Sequence, residues 1–531
     1  MTLAVSGLAC RSHLAPTPHR LSLLCLRKVR CFSKSAAAVE PVADSPSLGE
    51  RDRKNDAPVT VSKDRKEKQP EWKKLSSKEL GIKMSSIPKP TRLILSGLRQ
   101  KGYEVYLVGG CVRDLILKRT PKDFDIITSA ELKEVKKTFL RCEIVGKRFP
   151  ICHVHVNDAT VEVSSFSTCE RHSSKKFDSL RRPPGCNRHD YIRWRNCLQR
   201  DFTINGLMFD PFDKIVYDYM GGIRDIRKSK MRTVIPANIS FAEDCARILR
   251  GIRIAARLGF HFTKDIALSL KELSFSIRRL DKGRILMEMN YMLAFGSSEA
   301  SLRLLWRFGL LEFLLPVQAS YFASQGFRRR DESSNMLLSL FSNLDKYVAP
   351  NQPCHSSLWI AILAFHKALY DKPRDPLVIA AFSLAVSNGG SLPEAVEIVR
   401  TMSQPHVMTF HEILEPVTTT RSKNALINEV VDLAASVKAM LRKMTDPDYV
   451  SQAMMKFRKA PCSDLVFIPL TLSLRVCKIF ESIKRELGRE SVPKIGQRID
   501  YDSLALGCLP EVQQMFATVV FDTVYPPTRK H

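Results

Sequence analysis

From Thr91 to Lys101 apolar residues fall three and four apart, with Ile94, Leu95 and Leu98 on one face, and this spacing predicts a helix that Gly102 ends. Gly97 inside that run weakens the helical pattern. Order is expected to begin near Pro88. Glu104–Val108 then reads as a short strand, Gly109-Gly110 as a turn, and Val112–Leu117 as a second helix. Polar and apolar residues alternate over Asp123–Ile126, which predicts a strand. Ile151–Val156 and Thr160–Ser165 predict a hairpin turning at Asn157-Asp158. After about Pro236 the period changes. Apolar residues recur every three or four positions over Ala242–Ala256, Ile285–Phe295 and Ala300–Leu315, and helical patterning continues through Phe516. The patterning therefore predicts an α+β fold, a small head of mixed sheet and helices followed by an all-helical neck and body.

With 531 residues the chain is long enough for several domains. No apolar run approaches the roughly 18–20 residues of a membrane span, so no membrane partner is expected. Leu358–Phe365 and Leu377–Val386 are too short and read as buried helices. Lys and Arg number 83 against 55 Asp and Glu, a formal charge of +28, which fits a polyanionic partner such as nucleic acid or simply a basic, well-solvated surface. The 14 cysteines are scattered with no C-x-x-C pair, against a zinc ribbon or a thioredoxin-like site. Residues 1–39 hold no acid but carry Arg11, Arg20, Arg27, Lys28, Arg30 and Lys34 among Ser, Leu and Ala. That composition predicts an organellar transit peptide over residues 1–40, for mitochondrion or chloroplast, or else a basic tail. Residues 41–85 read as a disordered, charged linker.

The sharpest chemical feature is Lys122-Asp123-Phe124-Asp125-Ile126. On a strand, Asp123 and Asp125 share a face while Phe124 and Ile126 pack behind them. Two carboxylates so close invite a divalent cation, and magnesium is held by one or two carboxylates together with substrate phosphates. Alone, D-x-D is also an ordinary solvated strand edge. Upstream, Leu107-Val108-Gly109-Gly110-Cys111-Val112-Arg113-Asp114 places a Gly-Gly turn between strand and helix, where backbone amides can approach a phosphate. Glu162 alternates with Val161 and Val163 and faces away from them, either toward a metal site or toward solvent. Glu170–Asn196 interleaves Lys175, Lys176, Arg181, Arg182, Arg188, Arg193 and Arg195 with Tyr191 and Trp194, which suits single-stranded RNA or is incidental loop charge.

The stretch LVGGCVRDLILKRTPKDFDI resembles the head signature of the class II tRNA nucleotidyltransferase and bacterial-type poly(A) polymerase family, within the polymerase-β-like superfamily. Gln199-Arg200-Asp201-Phe202-Thr203-Ile204-Asn205-Gly206 resembles that family's R-R-D-F-T-x-N-A element, and Glu243–Arg250 its E-D-x-x-R-x-x-R neck helix. Leu304–Pro316 is similar to the helical hairpin after the neck. The resemblance implies a nucleotidyltransferase head over 86–235, a neck binding nucleotide and RNA over 236–320, and an unassigned helical body over 321–531. It implies that Asp123 and Asp125 hold two magnesium ions, that Gly109, Gly110, Arg113 and Arg200 contact the nucleoside triphosphate, and that Asp201 is an acidic member of the site, while either Asp201 or Glu162 could complete the metal site. Asp244 and Arg247, three apart on one helix face, would read the incoming base, with Arg250 extending the basic surface. Gln199, Gly206 and Lys118 depart from the family pattern without removing a metal ligand. The implied reaction is template-independent addition of adenylate from ATP to RNA 3′ ends, and Arg148–Val154 and Val161–Phe166 favour this poly(A) branch. Addition of CCA to the 3′ end of tRNA is the alternative, and RNA binding with an idle head is the third.

Overall fold

The computed structural model describes residues 72–146, 150–171, 183, 186–388, 391–402, 404–414, 422–455, 467–483 and 498–527. The expected leader over 1–40, Lys175, Lys176, Arg181, Arg182, Arg148 and Phe149 lie outside the described residues.

The head is built on eight strands: β1 (Lys73–Ser76), β2 (Val105–Val108), β3 (Asp125–Thr128), β4 (Cys142–Val145), β5 (Ile151–Val156), β6 (Ala159–Ser165), β7 (Leu207–Asp210) and β8 (Ile215–Asp218). They form one sheet in the order β1-β8-β7-β2-β3-β6-β5-β4. The β3–β6 pair is parallel and every other neighbouring pair antiparallel, which makes the sheet mixed, as the patterning predicts. Strand β2 is buried along its whole length because both of its faces are covered. Val105 and Leu107 point into the larger core beneath helix α1 (Lys89–Gln100), which contributes Ile94, Leu95 and Leu98. Tyr106 and Val108 point the other way, into a cluster with Ile127, Met208, Tyr217 and Tyr219. Gly97 keeps its place in α1 because the Phe139 ring lies against it, 3.1 Å from where a Cβ would stand. Between β2 and β3 runs the short helix α2 (Gly110–Ile116). On the Tyr106 face, helix α3 (Arg188–Leu198) lays Cys197 against the sheet.

Four expectations are corrected. Order begins earlier than Pro88, for within the expected linker 41–85, β1 pairs with β8 from Lys73↔Asp218 to Ser76↔Ile215. Its lysines disguise it, but they suit an edge strand. Trp72 packs on Trp194 and Tyr219, and Lys74 bonds Asp190 at 2.9 Å. Strand β3 starts at Asp125, so Asp123 stands two residues ahead of it. The helix expected over Ala242–Ala256 is two helices, α4 (Ala237–Glu243) and α5 (Ala246–Leu258). Asp244 leaves the helical region at φ −139°, and its carboxylate accepts from the Ala246 N–H at 3.0 Å, a capping bond that competes with a continuous helix. The run Ala300–Leu315 likewise breaks after helix α7 (Ser298–Arg307), at Gly309 with φ +70°.

Between α5 and α7 lies α6 (Lys282–Leu293), which packs on α5. Beyond α7 the regular elements among the described residues are helices, joined by loops and two isolated bridges, Ala349↔Gln352 and Arg374↔Ile413. The two apolar runs are buried helices, α8 (Ser356–Asp371) and α9 (Pro376–Ser387), joined through stacked Phe365 and Phe382. No helix among the described residues is long and apolar enough to cross a membrane.

Candidate active site

Strand β2 ends at a bend. Gly109 takes φ +78° and ψ −137°, a backbone region open to glycine and closed to side chains. A Cβ there would stand 3.2 Å from Arg200 Nη1 and 3.6 Å from Asp125 Oδ2, so a guanidinium and a carboxylate converge on the bare backbone. Asp125 opens β3 opposite Val108. Asp123 and Asp125 both border a cavity of roughly 570 Å³, together with Gly109 and Gly110, while Phe124 and Ile126 are buried behind them. Burial pushes the Asp125 carboxyl up to about 6, with Arg200 opposing the rise and the charges of Glu162 and Asp123 adding to it.

Glu162 is the neighbour of Asp125 on the next strand, since β3 and β6 run in parallel register with Ile126 beside Val163. Its charge reaches Asp125, yet its side chain is exposed, stands 3.8 Å from His153 Nε2 and lies outside the residues bordering the cavity.

Two of the expected site residues are bonded within the protein. Arg113 is buried, with Nε donating to Asp114 at 2.9 Å and Nη1 to Asn205 at 2.6 Å, so its guanidinium is bonded within the head. Asp201 is also buried. Its Oδ1 accepts from the Phe202 N–H at 2.7 Å and from Asn205 Nδ2 at 3.0 Å, and its Oδ2 accepts from Arg250 at 3.1 Å. Burial opposes ionisation of Asp201, but Arg250 and these donors outweigh it and hold the carboxyl below its ordinary value. Both residues still border the cavity.

Helix α5 forms a cationic wall. Arg247, Arg250, Arg253 and Arg257 all border the cavity at helical spacing. Arg247 donates to Glu243 at 3.1 Å and to Ser240 Oγ at 3.0 Å, with Asp244 farther away at 3.9 Å. The expected Asp244–Arg247 pair is therefore brought together across the break between α4 and α5. Arg253 meets Glu288 of α6 at 3.0 Å, and Arg257 meets Asp114 of α2 at 3.9 Å. Burial pulls the guanidiniums of Arg253 and Arg257 down, and their acidic partners only partly restore them. Tyr291 and Phe295 complete the lining. Arg253 and Arg257 continue the arginine spacing of the neck motif and were legible from it; Tyr291 and Phe295 reach the site only through folding. The basic and aromatic segment before Asn196 serves the fold in part, for Arg193 is buried over the Tyr217 ring at 4.2 Å and bonded to Tyr106, Tyr219 and Asp190.

The structure thus presents paired carboxylates beside a glycine bend on a mixed sheet, joined to a helical neck that brings arginines to the same cavity. The poly(A) polymerase head-domain family matches residues 105–232, and a family described as "Probable RNA and SrmB- binding site of polymerase A" matches residues 259–322. Poly(A) polymerase I of Haemophilus influenzae is 30% identical over 260 residues, covering 48% of this chain and 57% of that protein. Poly(A) polymerase I of Salmonella typhimurium is 34% identical over 237 residues, covering 44% and 51%. A CCA-adding enzyme of Staphylococcus aureus is 31% identical over 210 residues, covering 39% and 50%. The chain spans about half the length of the curated relatives it matches. The matches to poly(A) polymerases and CCA-adding enzymes thus lie in the head and RNA-binding segments of this chain.

Proposed function

We propose that this protein is a template-independent RNA nucleotidyltransferase that transfers adenylate from ATP to RNA 3′ ends. The observation that carries the reading is the convergence of Asp123, Asp125 and the Gly109 bend on one cavity walled by the α5 arginines. The donor set fits a divalent cation. Asp125 is disfavoured as an anion by burial and by two neighbouring carboxylates, a situation that a bound cation reverses. Asp123 and Asp125 would hold magnesium, which supplies Lewis-acid activation of the attacking hydroxyl and neutralises the leaving pyrophosphate.

The chain's own residues then position and stabilise. Gly109 lets a phosphate oxygen come close to the backbone, and Arg200 stands at that bend to balance its charge. Asp244 and Arg247 present an acceptor and donors to the edge of the incoming base. The 3′-hydroxyl oxygen of the RNA bonds to the α-phosphorus as the bond from that phosphorus to the bridging oxygen breaks, and pyrophosphate departs.

A second reading, CCA addition to tRNA, is favoured by the similarity to CCA-adding enzymes over 210 residues, against 260 residues for a poly(A) polymerase I. An RNA-binding protein with an idle head is the third, and the retained Asp123–Asp125 pair speaks against it.

The test offers the purified chain each nucleotide with an oligoadenylate primer or with tRNA lacking its CCA end. Long adenylate tails on the primer support the first reading. Addition of three nucleotides to tRNA from CTP and ATP supports the second, and no incorporation supports the third. Asp123→Ala or Asp125→Ala is expected to abolish metal-dependent incorporation while the fold survives. More than a few per cent of residual activity would reject their role.

A further inference from the structure

Tyr291, in the last turn of α6, and Phe295, two residues beyond its end, are half-buried, with ring centroids 5.2 Å apart and planes inclined by 47°. Both border the cavity that holds Asp123 and Asp125. Two cations attend them. Lys122, the residue before Asp123, places Nζ 5.0 Å from the Tyr291 ring and 5.2 Å from the Phe295 ring, and the Arg253 guanidinium lies 5.0 Å from Tyr291. Lys122 is exposed and makes no ion pair with the described residues, so its flexible stem can leave the rings when a phosphate offers a better partner.

Position along the neck assigns these rings a ligand. On α5, Arg253 lies six residues beyond Arg247, about 9 Å along the axis at roughly 1.5 Å per residue. Under the proposed function, Asp244 and Arg247 take the incoming base. A second planar surface beside Arg253, farther along the neck and edged by Lys122, borders the cavity of Asp123 and suits the neighbouring nucleotide of the same strand. Aromatic side chains interleaved with basic ones hold single-stranded RNA by stacking on bases while the cations take the backbone. We propose that Tyr291 and Phe295 form the stacking platform for the 3′-terminal base of the RNA primer, with Lys122 moving onto its phosphate. The inference rests on the transferase reading and assigns its primer subsite. Since a purine offers the larger π-face, the platform favours RNA ending in adenylate.

The experiment uses the full chain and oligoadenylates that carry 2-aminopurine at the 3′ end or at an internal position well upstream. Binding without nucleotide is followed by fluorescence quenching, and extension with ATP and magnesium by gel. In the parent protein the 3′-terminal probe is expected to be quenched and the upstream probe much less so. Tyr291→Leu and Phe295→Leu should each lose that quench and raise the primer KM about tenfold, with the KM for ATP changed less than about twofold. Tyr291→Phe, which keeps the ring, should restore both. Unchanged quench and primer KM in both leucine variants would overturn the platform. So would a rise confined to the KM for ATP, which would put the incoming base there instead. If the parent protein extends no RNA with any nucleotide, the transferase reading fails, while the quench still decides whether a 3′-terminal base stacks on these rings.

Discussion

Asp201 is expected from sequence among the catalytic acids, whereas its bonds make it the tether of Arg250. Asp201→Ala removes at once the acceptor for the Phe202 N–H, for Asn205 Nδ2 and for Arg250 Nη1. Phe202 is fully buried, so water cannot readily replace its lost acceptor. A buried donor left unpaired costs about 1–3 kcal/mol. Breaking a buried ion pair costs about 3–5 kcal/mol, but the Arg250 side chain is 32% exposed and regains part of its hydration, so the lower end applies. The total loss is expected on the order of 4–6 kcal/mol. Asp201→Asn keeps an oxygen for Phe202 and Asn205 but turns an NH2 toward Arg250, losing that charge-assisted bond, so a loss of about 1.5–3 kcal/mol is expected. The pH dependence follows the same bond. Because the folded carboxyl lies below its unfolded value of about 3.9, its contribution is present above that value and disappears as pH falls through the folded one. Urea unfolding of the metal-free variants measures the stability, and steady-state incorporation measures the KM for ATP, which should rise as Arg250 loosens. The tether is refuted if Asp201→Ala stays within about 0.5 kcal/mol of the parent, a difference typical of a neutral surface change. Intact stability and ATP affinity in Asp201→Asn with abolished turnover would instead make Asp201 a catalytic acid.

Two further outcomes are expected. In chelator, the raised Asp125 pKa favours the folded state below its unfolded value of about 3.9, and that advantage is lost as pH rises through about 6. Asp125→Asn should therefore stabilise the metal-free protein at pH 7.5 by on the order of 1–2 kcal/mol, allowing for solvent screening at a partly exposed carboxylate. The same variant should lose the stabilisation that magnesium gives the parent; thermal melts with and without the ion check both. Arg193→Ala leaves Asp190 buried with the Tyr219 hydroxyl and Lys74 as its remaining partners and should cost about 2–3 kcal/mol, at or below the lower end for a broken buried pair, without changing the salt dependence of RNA binding at temperatures where the variant stays folded.

The head was legible where local pattern and tertiary packing ask for the same residues. Ile151–Val156 and Ala159–Ser165 form the expected hairpin, and Asn157 tolerates the left-handed turn at φ +54° that joins them. Where the two demands differ, pattern misleads. The lysines of β1 look like linker because an edge strand needs little apolar surface, and only Trp72 and Leu75 signal its contacts with the rest of the head. The apolar period over Ala242–Ala256 passes through Asp244 without a sign of the break, since the core-facing positions keep their spacing on both sides. Arg193 is chemically an RNA contact until Tyr106, Tyr217 and Tyr219, from two other strands and the turn after β8, close around it.

The same reasoning limits what the cavity's arginines can do alone. Seven cationic side chains and five carboxylates border the cavity, which looks like a surplus ready for a triphosphate. Most of those cations already face an acid: Arg113 has its helix neighbour Asp114, and from other elements Arg250 has Asp201, Arg257 has Asp114 and Arg253 has Glu288 behind the wall. Each tether fixes a guanidinium in place before substrate arrives, which lowers the reorganisation required on binding. It also cancels part of the field that would draw an anion in. Arg200 is opposed by Asp125 and Arg247 by Glu243, which leaves Lys122 as the least compensated of these charges among the described residues. A triphosphate approaching that strand edge therefore meets two carboxylates with little net cation to offset them. Tight nucleotide binding should accordingly require divalent cations as well as arginines, and the affinity for ATP measured in chelator should fall far more for this protein than for one whose phosphate-binding arginines stand free.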